Sequence, residues 1–181
     1  MSGDTVSDLP DGDLSAWTIE RLEAHAAALA PGSKALETVR VLAQSHAYRS
    51  GEDPHARLRW ARLSLDANRR AHGSGAWDRA RMLSHDFMLR TWIIGHLGPD
   101  DADPNWSPEA LAADTLAALT LDPGQAGTVP KSWHELPVEQ IGELRRHKTL
   151  TAHLDTLIGY LQPGPARDQL SVWNQVRVRL P

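Results

Sequence analysis

The chain of 181 residues contains no cysteine, which excludes structural disulfides, thiolate metal sites and a cysteine nucleophile together. Long hydrophobic runs are missing as well. No apolar stretch approaches the roughly 20 residues a bilayer span requires, and the acidic opening MSGDTVSDLPDGDLS has neither the basic start nor the apolar segment of a secretory signal. The expectation is a soluble, cytoplasmic protein without a membrane partner. Lysine is scarce, limited to Lys34, Lys131 and Lys148, and arginine supplies the other 16 of the 19 basic residues. With abundant alanine, that bias suggests a high-GC bacterial genome. There is no glycine-rich phosphate loop, no Gly-x-Ser-x-Gly and no alternating strand pattern beyond a weak VRVRL near the carboxyl end. Nucleotide-loop and serine-hydrolase chemistry therefore have no framework to stand on.

What is present describes a folded protein. The composition is 41% hydrophobic and 23% charged, ordinary for a globular chain and unlike a disordered one. Residues 1–14 carry Asp4, Asp8, Asp11 and Asp13 without apolar periodicity and read as a mobile acidic tail. Residues 15–181 read as one helical domain, cut into helices by Gly/Pro punctuation. The first helix runs from about Ser15 to Leu29, stopped by Pro31-Gly32. The second opens at Ser33, with Leu36, Val39 and Ala43 on one face. The third starts with Asp53 as cap and Pro54 at its first position, where proline loses no hydrogen bond. After Gly73-Ser74-Gly75 a helix runs from about Ala76 to Leu97, followed by one opening at Ser107-Pro108-Glu109 and stopped by Asp122-Pro123-Gly124. The capping box Ser132-Trp133-His134-Glu135 precedes a long helix from about Val138 to Leu161, and a last helix carries Leu170, Trp173 and Val176. The fold class is all-α, a compact bundle of six to seven helices.

Several polar arrangements invite chemical readings. His85-Asp86 matches the metal-binding dipeptide of HD-type phosphohydrolases, with His46 before it and Asp114 or Asp122 after it as nominal further ligands. Yet about 0.7 such dipeptides are expected by chance in this composition. Helix geometry puts His85 on an apolar seam with Met82, Leu89 and Trp92, and Asp86 on an edge facing Arg90. His85 and His96 lie about 16 Å apart along the helix, too far to share a metal. Arg79 with His85 satisfies the arginine–histidine spacing of HEPN-type ribonucleases, but four other pairs in the chain satisfy it too. Glu143 and His147, four residues apart on the seam of Leu150, Leu154 and Leu157, offer a metal or proton-transfer pair. A buried hydrogen bond is the plainer reading. The loop PDDADPNW lacks the glycine and the final glutamate of a calcium loop.

The helix spanning residues 54–72 is the basic one. Arg57, Arg59, Arg62, Arg69 and Arg70 surround a narrow apolar seam, and Arg145-Arg146 form a shorter cluster. Such a face tracks nucleic-acid phosphates, or it is solvated and salt-bridged to acids such as Glu20 and Glu23 of the first helix. The formal net charge of -4 favours the second reading over wholesale polyanion binding. Seven tryptophans spread along the chain read as anchors between helices, some of them available to a partner surface or to self-association. The expected function is that of a non-enzymatic bacterial regulatory or adaptor protein presenting helical surfaces to a protein partner, with no cofactor. A nucleic-acid-binding regulator and a metal-dependent hydrolase or HEPN-like ribonuclease are the alternatives.

Overall fold

A computed structural model describes residues 16–73, 75–120, 123 and 136–176. The acidic segment 1–14, the Ser132–Glu135 capping box and residues 177–181 lie outside them. The described residues form eight α-helices and no strand: α1 (Ile19–Ala28), α2 (Lys34–Ala47), α3 (Pro54–Ala71), α4 (Ala76–Leu97), α5 (Pro108–Ala118), α6 (Val138–Thr151), α7 (Leu154–Tyr160) and α8 (Pro165–Gln175). The chain divides into two compact units at Gly73/Ser74.

Side-chain caps set most helix starts in the amino-terminal unit. Thr18 Oγ1 accepts from the Arg21 amide at 3.4 Å, Ser33 Oγ from Ala35 at 3.2 Å, and Asp53 Oδ2 from Ala56 at 3.1 Å. Each satisfies a donor that a helix start otherwise leaves open. The first helix thus begins at Ile19, with Thr18 as its extended cap, later than the sequence reading places it. The α2 and α3 helices form a tight antiparallel hairpin: Gly32 at the head of α2 donates to Arg70 O at the end of α3, while the Arg57 guanidinium near the start of α3 donates to Ala47 O at the end of α2. Small residues make this approach possible. Ala43, Ala47, Ala61 and Ala67 are fully buried beside Leu36 and Val39, and α1 adds Leu22 and Ala26. Each fully buried leucine or valine here contributes about 1.5–3 kcal/mol.

In the carboxyl-terminal unit α4 packs along α6, and α5, α7 and α8 close the core around Phe87, Ile94, Leu111, Leu144, Leu150, Leu154, Leu157, Leu170 and Trp173. Gly98 ends α4 with φ of 90°, a left-handed conformation that a side chain would strain. The acidic loop that follows is organised by its own side chains: Asp100 Oδ1 accepts from the Ala102 amide and Asp103 Oδ1 from the Asn105 amide, both at about 3 Å. Arg90 holds the same loop from beneath. It is 3% exposed and donates to Asn105 O at 2.9 Å, Pro104 O at 2.8 Å and Asp114 Oδ2 at 2.6 Å.

The number of helices differs from six to seven because the expected helix Val138–Leu161 is two. The Ala152 amide turns back to Thr149 O, Thr151 Oγ1 bonds His147 O at 2.8 Å, and His153 leaves helical geometry at φ −132°, ψ 20°. These local bonds compete with the regular ladder. The bend keeps Leu150 and Leu154 both buried in the same core. The stop expected at Asp122 also moves, since α5 already ends at Ala118.

Candidate functional site

One cleft in the carboxyl-terminal unit brings polar side chains of α4 and α6 together. On α4, Asp78, Arg81 and His85 stand three and four residues apart and share a face, with Ala80 and Ser84 alongside; on α6, Arg145 and Thr149 form a four-residue pair. These seven residues line a cleft of about 410 Å³, within the size range of small-ligand sites. The small side chains of Ala80 and Ser84 leave the room. Arg81, Arg145 and Asp78 are exposed, whereas His85, Ser84 and Thr149 are half-buried. Among the described residues, the lining thus brings two guanidinium groups from different helices together with an imidazole, two hydroxyls and one carboxylate. Ser84 Oγ donates its proton to Ala80 O at 2.8 Å. A carbonyl only accepts, so the same hydroxyl meets any further group through its lone pairs.

Two further titratable side chains of α6 are buried. Arg146 is buried at 6% exposure, donates to Thr120 Oγ1 at 2.8 Å, and keeps an Nε with no hydrogen-bond partner. Burial holds its pKa below the usual arginine value, opposed by the charge of Glu143 and reinforced by that of Arg79. His147 is completely buried, and its Nδ1 donates to Glu143 O at 2.8 Å. Burial is the main cause that lowers its pKa, so the neutral ring is the favoured form, packed against Trp173 at 5.5 Å.

The residues singled out from sequence fall into different places. His85 lines the cleft; Arg79 does not, and lies on α4 within electrostatic range of Arg146. Asp86 is 8% exposed rather than on a solvated edge, and Arg90 turns to the 104–105 carbonyls and Asp114 instead. His46, in the amino-terminal unit, stacks on Trp60 at 4.3 Å and meets Glu52 at 3.1 Å. Asp122 lies outside the described residues. Glu143 and His147 are joined through the Glu143 carbonyl, not its carboxylate. Among the described residues no group of three His, Cys, Asp or Glu side chains is placed to hold a metal ion.

The arginines of α3 work mostly inside their own unit. Arg57 is 7% exposed and bonds Ala47 O at 3.0 Å. Arg59 clamps Glu20 and Glu23 of α1, each at 2.6 Å, and these bonds, Glu23 first, raise its pKa. Arg70 bridges Leu29 O at 2.6 Å and Asp66 at 3.2 Å. Arg62 and Arg69 are exposed. Of the shorter cluster, Arg145 faces the cleft and Arg146 is buried, so the two neighbours do not form one surface.

Arg81, Asp78, Ser84 and Thr149 are not among the candidate site residues the sequence points to. The signal was there in part: Arg81 precedes His85 by four residues, as Arg145 precedes Thr149. No protein-family model, curated protein or solved structure matches this chain.

Proposed function

We propose that this is a non-enzymatic regulatory protein whose carboxyl-terminal unit binds a small anionic ligand between α4 and α6 and presents its helical surfaces to a protein partner. The observation that carries the reading is the convergence of Arg81 and Arg145, from two different helices, with His85 on one cleft of about 410 Å³. Guanidinium groups make their strongest hydrogen bonds to anionic oxygens, often in pairs. A phosphate-tracking stripe on α3 has less support, because Arg57, Arg59 and Arg70 are engaged by carbonyls and carboxylates of their own unit. Hydrolysis at His85-Asp86 has less support too: Asp86 is buried and is not among the residues that line the cleft.

The test is calorimetric titration of the full chain with inorganic phosphate, sulfate and citrate at fixed ionic strength. Saturable binding of at least one anion is expected, weakened about tenfold or more by Arg81→Ala, as loss of a hydrogen bond to a charged group implies. Absence of saturable binding by all three, or binding indifferent to Arg81→Ala and Arg145→Ala, would overturn the proposal. Binding of duplex or single-stranded nucleic acid that Arg62→Ala and Arg69→Ala weaken would transfer the function to α3.

A further inference from the structure

We infer that the ligand of the α4–α6 cleft is the phosphate monoester of a hydroxylated small molecule, of the sugar-phosphate class. This rests on the anion-binding reading above and concerns what else the ligand must carry. The cleft is not uniformly basic. Arg81 and Arg145 each carry five N–H donors, with the His85 ring beside them, a donor set suited to the several oxygens of a phosphoryl group more than to a single carboxylate. Asp78, one turn before Arg81 on the same face of α4, puts a carboxylate in the same lining. A bare anion would be repelled there. The group that meets Asp78 must donate hydrogen bonds. Ser84 asks for the same thing, since its proton is given to Ala80 O at 2.8 Å and its lone pairs remain. Two acceptors beside an arginine pair thus define a ligand with an anionic end and a hydroxyl-bearing end. The cleft volume of about 410 Å³ accommodates a phosphorylated hexose and exceeds what phosphate alone would fill.

The polarity of the two ends gives a test in which one substitution moves two ligands in opposite directions. The full chain is titrated with inorganic phosphate, with a hexose 6-phosphate and with the unphosphorylated hexose, for wild type and for Asp78→Ala. Asp78 is exposed in the first turn of α4, so its loss leaves the fold intact, as a thermal melt will verify. The ester is expected to bind about tenfold or more tightly than phosphate to the wild type, and the free hexose far more weakly than either. In Asp78→Ala phosphate should bind more tightly, because a repulsive charge is gone, while the ester binds more weakly, so that their ratio collapses toward one. Phosphate binding without any preference for the ester, or an ester preference that survives Asp78→Ala, overturns the ligand class while leaving the anion site standing. Failure of both phosphate and ester to bind removes the anion site itself.

Discussion

Replacing Arg90 by methionine removes a guanidinium from beneath the loop that joins α4 to α5 while keeping most of the side-chain volume. Arg90 is 3% exposed and makes three hydrogen bonds, to Asn105 O, Pro104 O and Asp114 Oδ2, at 2.6–2.9 Å. A hydrogen bond from a charged donor contributes about 1.5–3 kcal/mol. The Asp114 side chain is 64% exposed, so that ion pair adds at most about 1 kcal/mol. The two loop carbonyls lie near solvent and recover part of their loss by hydration, which places each at the low end. The expected cost of Arg90→Met is therefore about 3–4 kcal/mol, against less than about 1 kcal/mol for Asp114→Asn. Urea unfolding of both variants beside the wild type measures the difference; at a slope of about 1–3 kcal/mol per M, the methionine variant's midpoint falls by about 1 M or more. Equal, small losses in the two variants would refute the reasoning, because the carbonyl bonds, not the ion pair, would then be idle.

Other consequences are equally direct. Phe87 is 2% exposed at the centre of the carboxyl-terminal core, so Phe87→Ala should cost about 3–5 kcal/mol in the same unfolding assay. Burial lowers the pKa of His147 in the folded chain below its ordinary value of 6.5. The unfolded chain then binds more protons below that value, so this residue's contribution is whole above about pH 6.5 and is lost as pH falls. His147→Met should flatten the fall in unfolding free energy between pH 7 and pH 5; an unchanged slope would show that the ring is not the group responsible.

Much of the fold was legible because its punctuation is local. Ser33, Asp53-Pro54 and Ser107-Pro108 announce helix starts through single side chains that cap the next turn, and Gly98 announces an end through a backbone conformation it alone tolerates well. The break at Ala152-His153 was not legible, since Leu150, Leu154, Leu157 and Leu161 keep a helical spacing straight through it. Competing bonds from Thr151 and the Ala152 amide decide the matter, and they leave no trace in hydrophobic periodicity. The clamp of Arg59 on Glu20 and Glu23 was foreseeable from charge alone. The fates of Arg145 and Arg146 were not. Two adjacent arginines look alike in sequence, yet the helix turns about 100° between them and sends one to the cleft and the other into the interior. The cleft itself depends on α6 meeting α4 far along the chain, which local spacing does not report. His85 stood out for its neighbour Asp86, but the residues that join it in the cleft are Arg81 and Arg145.

No described helix is long and apolar enough to cross a membrane, and the capacity proposed here resides in one cleft. Its most direct test is the stoichiometry and affinity of inorganic phosphate for the wild type, Arg81→Gln and Arg145→Gln, measured by calorimetry on the full chain. The expected result is one site per chain, with each single substitution weakening that same site about tenfold or more. A site that Arg81→Gln or Arg145→Gln leaves untouched would contradict the claim that both arginines grip one anion.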